Sequence, residues 1–322
     1  MRGFVRNRVV RRVASTVGTL FGVAVLVFVM LRAIPGDQIT AGLGTEAAGL
    51  TPAQLQALER YYGLDQPLVT QFFTWLGNLF TGNLGYSARN QQSVLELTLH
   101  SLPVTVELAV LSIVLALLIG VPLGTLAASR AGSPRDAAGQ IVSLAGLSIP
   151  SFLLATTLLS VLSASFGFNP NGRAFATPAE DPLLNLQQMI LPALVLGFGI
   201  AAPILRTTRA AVLEVRSEDF VRTARAKGVP ERRLQVRHVL GNALVPIVTM
   251  TGLQFGYLLG GAVVVEQIFS VPGIGRQVLL GIQQKEYAVV QSTVLVIALA
   301  FVLVNLLTDA LYRIVDPRVR AS

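Results

Sequence analysis

The sequence predicts an all-α polytopic membrane protein with six transmembrane helices and both termini in the cytoplasm. Three observations carry this. Of 322 residues, 52% are hydrophobic and only 13% charged, too apolar for a soluble domain of this length. The apolar residues fall into six runs of about 20, the length that crosses the hydrocarbon core as a helix. The basic residues are divided unevenly across those runs, 19 on one side and six on the other.

The runs read as about Val13–Leu31, Val104–Ala128, Ala137–Ser163, Gln187–Arg206, Ala243–Val265 and Val289–Leu311. Pro122, Pro150, Pro192 and Pro203 lie inside them, which a helix bundle tolerates when neighbours resatisfy the freed backbone groups. Arg2, Arg6, Arg8, Arg11 and Arg12 precede the first span, and Arg130 and Arg135 follow the second. Nine basic residues from Arg206 to Arg237 lie in or beside the loop after the fourth span, and Arg313, Arg318 and Arg320 close the chain. Arg32, Arg60, Arg89, Arg173, Arg276 and Lys285 fall on the opposite side. The positive-inside rule places both termini in the cytoplasm. It also accounts for the net charge of +8 as topology, so no nucleic-acid partner is expected. The first span starts basic, like a signal peptide. It is followed by Arg32-Ala33-Ile34-Pro35-Gly36-Asp37 without a small-x-small site, and is expected to stay uncleaved.

Composition narrows the chemistry. With no cysteine there is no disulfide or thiol chemistry. His100 and His238 stand alone, and no metal-ligand spacing or nucleophile–base pair occurs, so neither a metal site nor an enzyme is expected. The only lysines, Lys227 and Lys285, precede Gly228 and Glu286, so the chain has no P-loop. Energy must come from partner subunits or an ion gradient. Ion-coupled transporters place ionisable groups inside the membrane. Here Glu107, Asp309 and Glu266 lie near span ends and the span centres hold no acid or base, which argues against a proton relay.

The chain divides into the N-terminus with the first span (1–31), an external segment (32–103), a five-helix core (104–312) with a cytoplasmic loop (207–242), and a tail (313–322). In the external segment Thr51 and Pro52 signal a helix start for Thr51–Tyr62. Gln66–Phe80 is amphipathic and aromatic, suited to lying against the bundle or the interface. Asn169-Pro170-Asn171-Gly172 and Val271-Pro272-Gly273-Ile274-Gly275 mark turns in the other external loops.

The cytoplasmic loop carries Ser217-Glu218-Asp219-Phe220-Val221-Arg222-Thr223-Ala224-Arg225-Ala226-Lys227-Gly228-Val229-Pro230. Ser217 is placed to cap a short helix, Glu218 and Asp219 suit its N-terminal dipole, and Lys227 suits its C-terminus. Gly228 stops it and Pro230 starts the next. Phe220, Val221, Ala224 and Ala226 give it a small apolar surface, suited either to docking in another protein's groove or to a solvated positive-inside loop.

This stretch resembles the coupling loop of ABC importer permeases, in the form found in the dipeptide, oligopeptide and nickel branch. Further similar motifs follow in order: Ile34-Pro35-Gly36-Asp37, Tyr62-Gly63-Leu64-Asp65-Gln66-Pro67, Gly82-Asn83-Leu84-Gly85-Tyr86-Ser87, Ile190-Leu191-Pro192-Ala193, Glu266-Gln267-Ile268-Phe269-Ser270-Val271-Pro272-Gly273-Ile274-Gly275 and Asp316-Pro317-Arg318. The broader importer motif has Glu-Ala-Ala where Arg222-Thr223-Ala224 stands, and its Leu-Pro is absent at Leu240-Gly241, with proline only at Pro246. The resemblance implies a type I ABC importer permease fold in the bacterial inner membrane. It implies a second homologous permease, two ATPase subunits binding ATP and Mg, and an extracytoplasmic substrate-binding protein, with no cofactor in this chain. It assigns ATPase coupling to Glu218, Asp219, Phe220, Arg222, Thr223, Ala224, Arg225, Ala226, Lys227 and Gly228. Peptides are the implied cargo, with nickel or another small solute as the alternative.

Gly252, Gly256 and Gly260, four residues apart, put small residues on one face of the fifth span. That face packs either within the subunit or at a seam with the second permease. Gln254 and Tyr257 on the same span, and Ser148 and Ser151 flanking Pro150, are the candidates for lining the pathway.

Overall fold

The computed structural model describes residues 2–33, 49–61, 63–87, 89–169 and 172–315. The motifs at Ile34–Asp37 and Asp316–Arg318 lie outside them. Among the described residues five helices are long and apolar enough to cross a membrane, and a bent pair counts as a sixth if taken as one span. The helices are α1 (Arg2–Ala33), α2 (Pro52–Tyr61), α3 (Leu68–Phe80), α4 (Val94–Ser129), α5 (Pro134–Ser148), α6 (Ser151–Phe166), α7 (Pro182–Ser217), α8 (Asp219–Ala226), α9 (Gly241–Gly261), α10 (Val263–Ile268), α11 (Ile274–Gln283) and α12 (Tyr287–Val315). A helical turn at Glu231–Arg233 and a π-helical stretch at Leu234–Leu240 lead into α9. One small hairpin pairs Tyr86 with Ser93 and Ser87 with Gln92.

The chain forms two compact units, one of residues 1–103 and 272–302, the other of 104–271 and 303–322. In the first unit α2 begins with a reciprocal cap: the Thr51 amide donates to Gln54 Oε1 (2.8 Å) and the Gln54 amide to Thr51 Oγ1 (3.4 Å). The charge-free α3 packs Phe72 edge-on against Phe21 and Phe28 of α1. Gln71 donates to the carbonyls of Leu64 and Gln66 and accepts from Arg32, which explains the Leu64–Gln66 motif as the seat of α3. Leu84–Ser87 has a comparable role. Ser292 donates to the Leu84 carbonyl (2.7 Å), Ser87 donates to Glu286 (2.9 Å), and Gly85 has φ +96, where an added Cβ would meet Ala288 at 2.9 Å.

In the second unit α4 lies against α7 through small residues. A Cβ added at Gly120 would meet the Ala201 carbonyl at 2.8 Å, and one at Gly124 the Leu205 carbonyl at 2.6 Å. This small-xxx-small seam brings the two backbones together, around a core that includes Leu108, Ala116, Met189, Ala193 and Ile204.

The third span departs from the expected continuous helix. Its chain breaks at Ile149-Pro150 into α5 and α6, bent by 96°. Proline removes an N–H and crowds the preceding turn. Pro192 and Pro203 have the same chemistry, yet α7 runs unbroken for 36 residues because it is packed along most of its length.

Candidate functional site

The break in the third span opens a cleft of about 320 Å³ within the second unit. Its walls are Gly146, Leu147, Ile149, Pro150, Ser151 and Leu154 from the bent pair, Val195, Leu196, Phe198, Gly199, Ile200 and Pro203 from α7, and Gln254, Tyr257 and Leu258 from α9. Among the described residues no carboxylate, lysine, arginine or histidine lines it. Pro150, Leu196 and Gln254 fall at the centres of the apolar runs read from the sequence, so the cleft lies within the span-forming part of the unit. Gly146 lets α5 cross close to α7 at its wall: an added Cβ would meet Ala202 Cβ at 2.9 Å and the Phe198 carbonyl at 3.1 Å. The Ser143 hydroxyl donates to the Ala202 carbonyl (3.3 Å), one turn along the same contact.

Three of the four expected pathway residues, Ser151, Gln254 and Tyr257, therefore converge. Ser148 is exposed beside the break but does not line the cleft. Two of the acids near span ends, Glu266 and Glu107, are not in its lining. Glu266 is fully buried and accepts from Thr105 Oγ1 (2.5 Å), and Glu107 accepts from Asn185 (3.5 Å). Sequence reasoning missed Gly146, Gly199 and Pro203 as parts of the site. Their signal was present, since a proline inside a span beside a glycine marks exposed backbone.

The glycines of α9 separate. Gly252 lies against α12, where an added Cβ would overlap the Thr308 side chain. Gly256 is buried, whereas Gly260 is exposed with nothing within 4 Å of an added Cβ.

Below the cleft α7 continues to Ser217, one residue from α8. Here the cap expectation is corrected. Ser217 Oγ donates back to the Glu214 carbonyl (2.6 Å) and ends α7, while Glu218 occupies the N-cap of α8 without a side-chain cap bond. Asp219 instead pairs with Arg222 (2.6 Å). The C-terminus is as expected. Gly228 has φ +76, its amide donates to the Arg225 carbonyl (3.0 Å), and the Val229 amide donates to the Ala224 carbonyl (3.2 Å). This is a Schellman closure with its usual apolar contact, Ala224 and Val229 joining the same cluster. The apolar surface of α8 divides between two sides. Val221 is fully buried and Ala224 half-buried against the chain's own core, with Val212, Leu234 and Val239. Ala224 thus anchors the helix rather than facing outward. Phe220, Arg222, Thr223, Arg225, Ala226, Lys227 and Gly228 are exposed, together with Glu218 and Asp219. Arg225 makes two bonds to Glu231 (3.0 and 3.2 Å), and this bonding raises the guanidinium's pKa.

A further ion pair ties α5 to α7 between cleft and α8. Arg209 grips Asp136 with Nε at 2.6 Å and Nη2 at 2.8 Å; the Gly132 amide and Gln140 complete the carboxylate's partners.

Comparison with known proteins gives a consistent answer. Residues 120–321 match the family described as binding-protein-dependent transport system inner membrane component, and residues 5–109 match the N-terminal family of the same membrane components. The chain is 38% identical over 314 residues to the glutathione transport system permease protein GsiC of Escherichia coli O6:H1, covering 98% of this chain and 99% of the relative. It is 39% identical over 315 residues to GsiC of Pectobacterium atrosepticum, with the same coverage. Among solved structures, the MetNI methionine ABC transporter in inward-facing conformations matches with a TM-score of 0.53 and 19% identity, over 68% of this chain and 96% of that one. An amino acid ABC transporter matches with a TM-score of 0.50 and 17% identity, over 69% and 94%.

Proposed function

We propose a cargo and a working assembly from one premise: the chain belongs to the family of binding-protein-dependent transport system inner membrane components, and is a permease subunit of an ABC importer in the bacterial inner membrane. It is a transport component, with ATP hydrolysis in a separate subunit, which sets the ion-coupled alternative aside. In this reading the chain forms half of a pathway for peptides, beside a second homologous permease. Two ATPases bind ATP and Mg beneath it, and an extracytoplasmic binding protein delivers the solute. Glutathione is itself a tripeptide, so the relatives named for it make it the first cargo to test.

The observation that carries this reading is the continuity of α7. One helix of 36 residues walls the cleft at Val195–Pro203 and ends next to α8. Displacement of α8 by an ATPase is thereby passed to the cleft along one continuous helix. The charge asymmetry supports cytoplasmic termini and a cytoplasmic α8. Single cysteines at Gln92 and Ser217, both exposed in this cysteine-free chain, label from outside and only after membrane opening respectively. Labelling of both from one side overturns the orientation.

Coupling is tested with the purified complex in liposomes. Phe220→Ala removes the exposed aromatic of α8, and Gly228→Val forces a β-branched residue into a left-handed stop, costing on the order of 1–3 kcal/mol. Both variants still insert and bind the loaded binding protein, and both lose stimulated ATP hydrolysis and uptake. Full coupling in both variants shows α8 to be a tether.

A further inference from the structure

The cleft owes its shape to two prolines, and Pro203 has a second consequence. In a helix the carbonyl of residue i accepts from the N–H of residue i+4. Proline has no N–H. Pro203, inside α7, therefore leaves the Gly199 carbonyl without that donor, while the end of α5 at Ser148, with Ile149 already extended, leaves the Gly146 carbonyl in the last turn without one. Both glycines line the cleft, one on each side of the crossing between the bent pair and α7. The Gly146 oxygen faces α7: a Cβ added at Gly199 would lie 3.9 Å from it. Gly146 is buried and Gly199 half-buried, and both line the cleft without a side chain. Ser151, Gln254 and Tyr257 complete the rim. Among the described residues none hydrogen-bonds to these three side chains.

We infer that the Gly146 and Gly199 carbonyls form an acceptor pair for the N–H groups of the passing substrate, with Ser151, Gln254 and Tyr257 as adjustable partners. This deepens, and rests on, the reading that the chain carries peptides. Every peptide bond but those of proline offers an N–H, so backbone acceptors recognise the cargo class without reading its side chains. The absence of charge in the lining suits this task. A carboxylate would hold an ammonium group too firmly, whereas a neutral carbonyl gives about the strength of one hydrogen bond. A transport site must bind well enough to admit and weakly enough to release.

The test compares a peptide with its N-methylated form. Complexes in liposomes with loaded binding protein take up glutathione or trialanine, and in parallel the analogue methylated at the Cys–Gly or the central amide nitrogen. The ratio of the two rates includes the binding protein's own preference. That contribution cancels when the ratio of a variant is divided into that of the native complex. Pro203→Ala supplies an N–H to the Gly199 carbonyl and is expected to shrink the ratio by about fivefold to tenfold, the effect of one lost hydrogen bond. Gln254→Leu, which leaves both prolines in place, shrinks it in the same direction and covers failure of the proline variant to assemble. Pro192→Ala, in α7 but outside the cleft, leaves the ratio unchanged. Ratios unaltered in the assembled cleft variants overturn the inference while the transport function stands. A native complex that takes up neither peptide fails the functional reading, and the inference falls with it.

Discussion

The middle of α7 and its cytoplasmic end belong to one helix and carry opposite chemistry. At the cleft the helix meets its neighbours through Gly199, Pro203 and apolar side chains, with no charge in the lining. Beyond Arg206 it is flanked by charge: the Arg209–Asp136 pair, then Arg216 with Glu231 at 3.5 Å, then the exposed ions of α8. The difference follows from what each end must do. A site that binds and releases needs interactions of hydrogen-bond strength. A joint that transmits a displacement needs its parts fixed relative to one another, and a bidentate arginine–carboxylate pair fixes both distance and angle.

The largest expected effect comes from breaking that joint. Asp136 is almost wholly buried, so Arg209→Ala leaves a carboxylate supported only by Gly132 and Gln140. Losing the arginine removes the carboxylate's strongest partner and destabilises the α5–α7 contact, an effect moderated by the partial exposure of Arg209. The readout is the thermal midpoint of the purified complex, which drops for Arg209→Ala and partly recovers in Arg209→Met combined with Asp136→Leu. An unchanged midpoint in the single variant means that the cleft and α8 are joined by α7 alone.

How much of this was legible depends on the range of the signal. The six spans, the stop of α8 at Gly228 and the cap at Thr51 are written in neighbouring residues. So is the α4–α7 seam, since Gly120 and Gly124 have the same spacing as the α9 glycines, though the spacing does not say which helix they meet. Ser217 shows the limit of local reading. A hydroxyl before two acids looks like an N-cap, but α7 extends to it and its oxygen bonds backward to Glu214. Pro150 was visible as a proline, yet the 96° bend was not, because Pro192 and Pro203 leave α7 whole. Which proline breaks a span is decided by packing on either side. Asp136 and Arg209 lie 73 residues apart, beyond any periodicity. The face taken by Ala224 was also hidden, since a short amphipathic helix shows a stripe without showing which side is the core.

The smallest expected effect concerns how α9 presents Gln254 and Tyr257 to the cleft. At 100° per residue, Gly252 and Gly256 lie on the side of α9 roughly opposite Gln254. Close packing there therefore fixes the angle at which the cleft side chains project. Gly252→Leu places a side chain where Thr308 already stands, and overpacking of this kind costs about 1–3 kcal/mol. Gly260 has open space, so Gly260→Leu is expected to change stability by no more than about 0.5 kcal/mol in the isolated subunit. The two variants separate packing within the chain from packing against a second permease. Thermal denaturation of the isolated chain reports the first, and co-purification with the partner permease the second. Gly252→Leu lowers the midpoint, and Gly260→Leu leaves it in place. If Gly260→Leu also abolishes co-purification, the open end of the glycine face is the seam between the two permeases, and Gln254 and Tyr257 are set from both sides of α9. If both variants co-purify normally and only Gly252→Leu is destabilised, α12 alone sets them.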